Sequence, residues 1–477
     1  MRARAPRDRP VTAPAATGRV LATLNEDGSR RWIRPKPAPG KWQTRRRVVA
    51  YGLMAFYLAI PHLTWNDRPW MQLDLPRREF TFFGTTFLPT DTLLLMLLFV
   101  SALIGIFLLT ALFGRVWCGW ACPQTVWMEF LFRPIERLVE GGPNASRTLD
   151  RERKHFAPRR LIKYAIYAVL AAILGNTFLA YFVGAKAVLT WMTLSPFAHP
   201  TPFLVMAVTT LAVFLDFTWF REQTCLVACP YGRWQSALLD KQSVIVAYDT
   251  QRGERRGHGA GARPGLGDCV SCNACVNTCP TGIDIRDGLQ MECIHCTQCA
   301  DACDSIMEKV GKPAALIRYT SQDALAGNAP RFLRVRTALY PLAFVLFFGA
   351  FLLALATRSA ADVTLLGPIG APFTRESDGK VVNQVRIKVA NRTGSEQQYT
   401  IAYLDEPGAT LIAPENPLRV AAGASVTTSV FVVQEVDRFD GGERRVRFRI
   451  SDAARFSQEF NWRLPGPDES RAPNPEK

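Results

Sequence analysis

The stretch that decides the fold reads Cys269-Val-Ser-Cys272-Asn-Ala-Cys275-Val-Asn-Thr-Cys279-Pro280 and, after a spacer, Cys293-Ile-His-Cys296-Thr-Gln-Cys299-Ala-Asp-Ala-Cys303. Two successive C-x-x-C-x-x-C-x-x-x-C motifs are typical of a two-cluster bacterial ferredoxin, in which three closely spaced thiolates bind one [4Fe-4S] cube. The fourth cysteine of each motif is too far along the chain to reach that cube. It is therefore predicted to bind the other cluster.

Two ligand sets for iron follow from this crossover. Cluster 1 is predicted to be bound by Cys269, Cys272, Cys275 and Cys303, and cluster 2 by Cys293, Cys296, Cys299 and Cys279. Asp304 follows the second motif where proline follows the first, which alters the local turn and removes no ligand. The alternative is a pair of zinc sites, since paired C-x-x-C motifs also bind zinc. The third cysteine in each motif suits a cube better than a tetrahedral ion.

Apolar segments of membrane-spanning length indicate that the chain is only partly soluble. The sequence has 477 residues, of which 48% are hydrophobic and 21% charged, so two or three domains of mixed character are expected. Five transmembrane helices are predicted, at about 48–65, 92–113, 161–183, 203–220 and 338–356. For the fourth, a buried core helix is the alternative, because Asp216 and Arg221 lie at its end.

The basic residues predict how the chain is oriented in the membrane. The net charge of +16 does not require nucleic acid as a partner, because Lys and Arg concentrate beside the apolar segments. Residues 114–160 contain nine Lys or Arg and residues 221–337 contain fourteen, whereas residues 184–202 contain Lys186 alone. By the positive-inside rule the N-terminus and both cysteine-bearing loops are cytoplasmic, in a bacterial inner membrane. Five crossings would place everything after Thr357 in the periplasm.

The remaining segments complete a multi-domain fold class. Residues 1–47 are predicted to be a disordered basic tail, residues 48–240 a four-helix membrane region, and residues 241–337 a cytoplasmic region with the ferredoxin insert at about 265–310. The fifth helix is placed at 338–357. Alternating stretches such as 385–389, 425–433 and 445–450 predict roughly seven strands of an immunoglobulin-like β-sandwich over 362–465. Residues 466–477 are predicted to be a disordered end.

A second pair of cysteine motifs forms an internal repeat. Cys118-Gly-Trp-Ala-Cys122-Pro and Cys225-Leu-Val-Ala-Cys229-Pro each follow an apolar segment, with the two cysteines one helical turn apart on a single face. Packing of the two hairpins would bring the four thiols together. They could then bind a third cluster, bind the soft ion Cu(I), or cycle between dithiol and disulfide. The alternative is buried cysteines at helix ends, with proline as a stop signal.

The order of these parts resembles a family of cytochrome c oxidase accessory proteins named CcoG, FixG or RdxA. The shared features are a basic N-terminus, helices ending in C-x-x-x-C-P, a two-cluster ferredoxin insert, one further helix and a cysteine-free immunoglobulin-like end. The segment Cys303-Asp-Ser-Ile-Met-Glu-Lys-Val-Gly311 also has the form associated with the family.

This resemblance implies a role in assembling cbb3-type cytochrome oxidase, as a membrane-bound reductase that converts Cu(II) to Cu(I). Its partners would be copper ions, copper-delivery proteins or oxidase subunits. Whether the protein forms a homodimer is left open. Cys118, Cys122, Cys225 and Cys229 are the hypothesised copper-reducing or cluster-bearing site. Two alternatives remain: an electron-relay subunit of quinol dehydrogenase type, and a non-catalytic scaffold whose clusters are structural.

Overall fold

The computed structural model describes residues 21–467, apart from 26, 66–67, 77, 89–90, 153–155, 258–264, 330–333, 406–407 and 453–455. The chain forms two compact units. The first comprises Met1–Trp65, Pro69–Phe83 and Leu95–Ala350, and the second comprises Asn66–Arg68, Gly84–Leu94 and Phe351–Lys477.

The secondary structure is mainly helical up to residue 356 and β-sheet beyond it. The α-helices are α1 (Lys41–Ala59), α2 (Thr92–Phe113), α3 (Val116–Trp120), α4 (Pro123–Trp127), α5 (Arg133–Glu140), α6 (Pro143–Arg151), α7 (Pro158–Val183), α8 (Ala185–Thr193), α9 (Pro200–Leu215), α10 (Pro230–Leu238), α11 (Thr250–Gly253), α12 (Ala274–Thr278), α13 (Gln298–Lys309), α14 (Gln322–Leu325) and α15 (Val335–Ala356). Short 3-10 helices cover Ile60–His62, Ile285–Asp287 and Val436–Arg438, and π-helices cover Met128–Phe132, Asp216–Phe220 and Thr224–Ala228. The strands are β1 (Thr64–Trp65), β2 (Arg68–Pro69), β3 (Met71–Asp74), β4 (Glu79–Phe82), β5 (Thr85–Phe87), β6 (Ile245–Tyr248), β7 (Ile317–Thr320), β8 (Ala361–Leu366), β9 (Thr374–Arg375), β10 (Val381–Asn391), β11 (Gln397–Tyr403), β12 (Ala409–Ile412), β13 (Leu418–Val420), β14 (Ser425–Gln434), β15 (Glu443–Asp452) and β16 (Ser457–Pro465).

Within the described part of the chain, four helices are long and apolar enough to cross a membrane. They are α2, α7, α9 with its π-helical extension to Phe220, and α15, and they match four of the five predicted segments. The remaining segment, 48–65, differs from its prediction. Helix α1 begins earlier, in the polar stretch Lys41–Arg47, and ends at Ala59, so it does not meet the same criterion of length and apolarity.

The apolar side chains of α9 decide between the two interpretations of that segment. Phe203, Leu204 and Leu211 are all more than half exposed within the protein. A core helix would bury such side chains, whereas a membrane helix presents them to lipid. The alternative of a buried core helix is therefore wrong for this segment.

The N-terminal segment is ordered where it is described, which corrects the prediction of a disordered tail. The Lys36 N–H donates to the Asn277 carbonyl (2.9 Å), and the Thr278 hydroxyl donates to the Lys36 carbonyl (2.8 Å). Hydrogen bonds to a partner more than 200 positions away could not be predicted from the local composition. Residues 1–20 lie outside the described part of the chain.

Helix α1 begins where it does because its first free N–H groups are capped by the ferredoxin insert. The Asp301 carboxylate accepts from the backbone N–H groups of Trp42 (3.1 Å) and Gln43 (2.7 Å), replacing a local capping side chain. Gly40 leaves room for this carboxylate, since a Cβ there would lie 2.3 Å from the Asp301 Cγ.

The ferredoxin insert is built on a strand pair that flanks the cysteine motifs. Strands β6 and β7 are antiparallel, with Ile245 opposite Thr320. Helices α12 and α13 each follow the first cysteines of one motif. Met307 and Leu316 are almost fully buried between these elements and form part of the core of the insert.

The second unit contains the predicted sandwich. One sheet has the order β12-β14-β10-β8, with β9 also paired to β10, and the other has the order β13-β11-β15-β16. Alternate residues such as Val385 and Ile387 on β10, and Phe448 and Ile450 on β15, are buried in one core between the sheets. The predicted strands at 385–389, 425–433 and 445–450 are confirmed. The described residues form nine strands here rather than about seven. Residues 468–477 of the predicted disordered end lie outside the described chain.

Candidate iron–sulfur and thiol centre

The two cysteine motifs of the insert have the same backbone turns. Each cysteine of the second motif lies 24 positions after its counterpart in the first (293 minus 269, for example). The residues on both sides of the second cysteine have left-handed dihedral angles in each motif. They are Ser271 (φ 53°), Asn273 (φ 56°), His295 (φ 53°) and Thr297 (φ 59°). Alternation of right- and left-handed residues turns successive backbone N–H groups toward one point, as in many iron–sulfur sites.

The fold gathers the eight cysteines into two groups of four. In the first group, burial and the charges of Cys275, Cys272 and Cys269 raise the pKa of Cys303 to about 12. In the second group, burial and the charges of Cys296, Cys293 and Cys279 raise the pKa of Cys299 well above its usual value. The fourth cysteine of each motif is thus close to the first three of the other. We call Cys269, Cys272, Cys275 and Cys303 the first group, and Cys293, Cys296, Cys299 and Cys279 the second group.

The surroundings of the second group fit an iron–sulfur cube. A cavity lies at this group. It is lined by Val246, Cys275, Cys279, Pro280, Thr281, Ile283, Ile285, Cys293, Ile294, Cys296, Thr297 and Cys299. Sulfur donors set in apolar walls suit a cluster held by thiolates and shielded from water.

Two buried nitrogen atoms near the second group have no hydrogen-bond partner among the described residues. One is the Arg46 Nη2. Burial raises the pKa of Cys296 to about 11, although the positive charge of Arg46 acts to lower it. The other is the His295 Nε2. Because the His295 Nδ1 accepts from the Arg115 N–H (3.1 Å), the proton of the neutral ring lies on Nε2. Cluster sulfur atoms would accept from such donors.

The repeated motifs also bring their cysteines together. Burial is the main cause that raises the pKa of Cys118 to about 11, and the charges of Cys122 and Cys229 add to it. The charges of all three raise the pKa of Cys225 in addition to its burial. All four thiols are half-buried. We call Cys118, Cys122, Cys225 and Cys229 the repeat thiols.

The local geometry of these motifs differs from the prediction. Cys118 lies in the short helix α3, but Cys122 lies beyond its end, so the pair does not share one helical face. Pro123 and Pro230 are the first residues of α4 and α10, where proline is favoured because its missing N–H would be unpaired anyway. The prolines therefore start helices here instead of stopping them.

Gln235 is a neighbour of the repeat thiols that the sequence did not suggest. Its Oε1 accepts from the Cys118 thiol (3.0 Å), and its Nε2 donates to the Thr110 hydroxyl (3.2 Å). Gln235 is almost completely buried. It fixes the orientation of the Cys118 side chain from a helix that begins after the second motif.

A buried ionic network supports the second group. From the sequence, its arginines were expected only to indicate the cytoplasmic side of the membrane. Arg133 pairs with Glu129 and donates to the Pro280 carbonyl (3.2 Å), which directly follows Cys279. Glu129 in turn accepts from the Gln298 amide (2.9 Å), beside Cys299. The spacing of Glu129 and Arg133, four apart on one helical stretch, is the sequence signal that could have revealed the pair.

The site has eight thiols in two groups of four on ferredoxin-type turns, and the chain has helices of membrane-spanning type. These features define a membrane-associated iron–sulfur electron-transfer protein. Comparison with protein families supports this class. A 4Fe-4S dicluster domain family matches residues 220–322, a 4Fe-4S binding domain family matches residues 94–140, and a family described as the IG-like fold at the C-terminus of FixG matches residues 351–467.

The curated relatives identify the family. RdxA of Cereibacter sphaeroides is 35% identical, covering 88% of this chain and 93% of the relative. RdxB of the same organism is 35% identical over 84% of this chain and 88% of the relative. The nitrogen fixation protein FixG of Rhizobium meliloti is 31% identical over 94% of this chain and 95% of the relative. The chain belongs to the FixG/RdxA family. A crystal structure of a FixG-related protein from Vibrio parahaemolyticus covers 23% of this chain and 98% of that one, at 17% identity and a TM-score of 0.20.

Proposed function

We propose that this protein reduces Cu(II) to Cu(I) during assembly of a cbb3-type cytochrome oxidase. The observation that carries the proposal is the position of the repeat thiols beside the second group. Cys225 lines the same cavity as Pro280, Thr281 and Ile294, which belong to the loops of that group. Soft thiolates next to a one-electron donor are the arrangement that Cu(II) reduction needs, because the product Cu(I) prefers sulfur ligands.

The first and second groups are the proposed ligand sets of two [4Fe-4S] clusters. When bound, each cluster would supply one electron at a time, and one electron converts one Cu(II) to one Cu(I). The repeat thiols would hold the copper ion. Binding it as thiolates releases one proton for each thiol used, so Cys118 would lose the proton that it donates to Gln235.

The proposed orientation has the N-terminus and all twelve cysteines on the cytoplasmic side of the inner membrane. Helix α1 is included as a fifth crossing because its end lies beside the far part of α7. The Tyr57 hydroxyl donates to the Leu174 carbonyl (3.1 Å), and the Tyr181 hydroxyl donates to the Tyr57 carbonyl (2.8 Å). With five crossings the sandwich would be periplasmic, where copper-delivery proteins or oxidase subunits are its proposed partners.

Serine substitution of the repeat thiols tests the proposal. The variant Cys118→Ser/Cys122→Ser should lose cupric reduction at least tenfold, since a hydroxyl is a poor ligand for Cu(I). Iron and acid-labile sulfide per chain should stay unchanged. Ala121→Ser is the matched control, because it adds a hydroxyl within the same motif and keeps both thiols. Unchanged cupric reduction in the double variant would remove these residues from the mechanism.

A third cluster at the repeat thiols is the second candidate, and it would make the protein an electron relay of quinol dehydrogenase type. The match of a 4Fe-4S binding family to residues 94–140, which include Cys118 and Cys122, favours it. Iron analysis separates the candidates: two clusters contain about eight irons per chain and three contain about twelve. Twelve irons, with quinol-dependent reduction and no response to copper, would favour the relay.

A further inference from the structure

The first repeated motif packs directly on the backbone of the second group. A Cβ atom at Gly119 would lie 2.5 Å from the Ile294 carbonyl oxygen, 2.9 Å from the Cys296 Cα and 3.0 Å from the Cys296 N. Real Cβ atoms do not approach backbone atoms so closely. Gly119 lies within helix α3 and has no left-handed backbone, so space alone requires glycine here.

The second repeated motif shows that the repeat itself does not need this glycine. Leu226 follows Cys225 as Gly119 follows Cys118, and the leucine is buried without difficulty. The glycine of the first motif is explained by its close contact with the backbone of Ile294–Cys296 and not by the repeated cysteine pattern. Gly119 is therefore specific to the close approach between the repeat thiols and Cys296.

Hydrogen bonds hold this approach from several directions. The Arg46 Nε donates to the Gly119 carbonyl (2.9 Å). The Trp120 indole donates to the Tyr319 hydroxyl (2.9 Å), which donates in turn to the His295 carbonyl (2.8 Å). The residues on either side of the contact are thus fixed to each other, and Cys296 is only 7% exposed.

We propose that electrons reach the repeat thiols from the cluster held by the second group, across the contact between Gly119 and Ile294–Cys296. The inference rests on the proposed function and adds the route. The cluster held by the second group would pass one electron to one Cu(II) at the repeat thiols and would itself be oxidised by one electron. The first group, whose Cys272 is exposed, would hold the cluster that accepts the replacing electron from a one-electron donor protein.

Substitution of Gly119 tests the route. Chemically reduced Gly119→Val protein is mixed anaerobically with Cu(II), and reoxidation of the clusters is followed by freeze-quench EPR together with iron content. Added side-chain atoms must push the two backbones apart, so reoxidation should slow roughly tenfold with iron content unchanged. Gly52→Val is the matched control, because a Cβ at this helical glycine meets nothing within 4 Å.

If the Gly119→Val protein does not bind iron, a second variant tests the proposed electron route. Tyr319→Phe removes the hydrogen bond to the His295 carbonyl without forcing the backbone apart, and reoxidation should slow about threefold. Equal rates in the wild type and in the variants that retain iron would overturn the inference and leave the proposed function intact. Wild-type clusters that Cu(II) does not reoxidise would overturn the proposed function, and the inference with it.

Discussion

The two halves of the ferredoxin insert have the same motif and the same backbone turns, yet they lie in different surroundings. The second cysteine of the first motif, Cys272, is exposed, whereas its counterpart Cys296 is 7% exposed. Residues before these cysteines differ as well: Ser271 is half-buried, while His295 is completely buried. The spacing of the cysteines fixes where the sulfur atoms lie, but the elements packed around each group decide what it can exchange electrons with.

Removal of a single fourth cysteine should have the largest effect and would show whether the halves exchange ligands. Cys303→Ala should lose the cluster of the first group, and Cys279→Ala the cluster of the second, because each lies with the other motif's thiols. Iron should fall from about eight to about four per chain in each case. EPR of the reduced proteins checks the assignment. Loss of the same signal in Cys303→Ala and Cys299→Ala would contradict the crossover.

The buried ionic network that supports the second group should contribute to the free energy of unfolding. Glu129→Gln removes one of the two buried carboxylates that pair with Arg133, leaving Glu222, and should lower the free energy of unfolding by about 2 kcal/mol. Denaturation of the cluster-loaded protein in detergent measures it. Glu459→Gln is the control, because its pair with Arg449 is about half exposed and should contribute less than about 1 kcal/mol. Equal effects would mean that the network is not stabilising.

An arginine near each group, Arg46 near the second and Arg286 near the first, allows the two cluster potentials to be shifted separately. Arg46 lies near Cys296, and Arg286 lies near Cys275. Loss of positive charge disfavours the reduced, more negative cluster, so Arg46→Gln should lower the second midpoint potential by about 60 mV, the equivalent of about 1.4 kcal/mol. Arg286→Gln should lower the first. Potentiometric EPR titration measures both, and equal shifts of both signals by one variant would contradict the assignment.

The smallest predicted effect concerns the contact of the N-terminal segment with the second half. Asn in place of Asp301 has one oxygen where the carboxylate has two, so Asp301→Asn should cost about 1 kcal/mol. Faster hydrogen exchange at the Trp42 and Gln43 amides would report it locally. Asp378→Asn, an exposed change in a turn, should leave both amides unaffected. Unchanged exchange in Asp301→Asn would mean that another group caps α1.

Local patterns in the sequence were sufficient for the features that depend on neighbours in the chain. The cysteine spacing predicted two groups of four thiols, and apolar length predicted both ends of α2 and the C-terminal end of α15, which begins three residues before its predicted start. Period-two alternation predicted the sandwich, because each strand there has one buried face. These signals are carried by residues within about ten positions of each other.

Features that depend on distant partners were missed. The start of α1 depends on Asp301, which no pattern around Lys41–Arg47 reveals. The basic residues of that stretch suggested disorder, yet Arg46 is completely buried, where it donates to the Gly119 carbonyl and lies over the Phe130 ring. Likewise, proline after a cysteine motif is compatible with either end of a helix until the neighbouring helices are known.

The cap on α1 has a consequence for the order of biosynthesis. Trp42 and the side chain that caps it are separated by 259 positions, so the ribosome has released the first helix long before Asp301 exists. That helix must wait, with its leading amides uncapped, until the second half of the insert has been translated and folded. Completion of the cysteine-rich insert and capping of the first helix are thereby joined in a single late event.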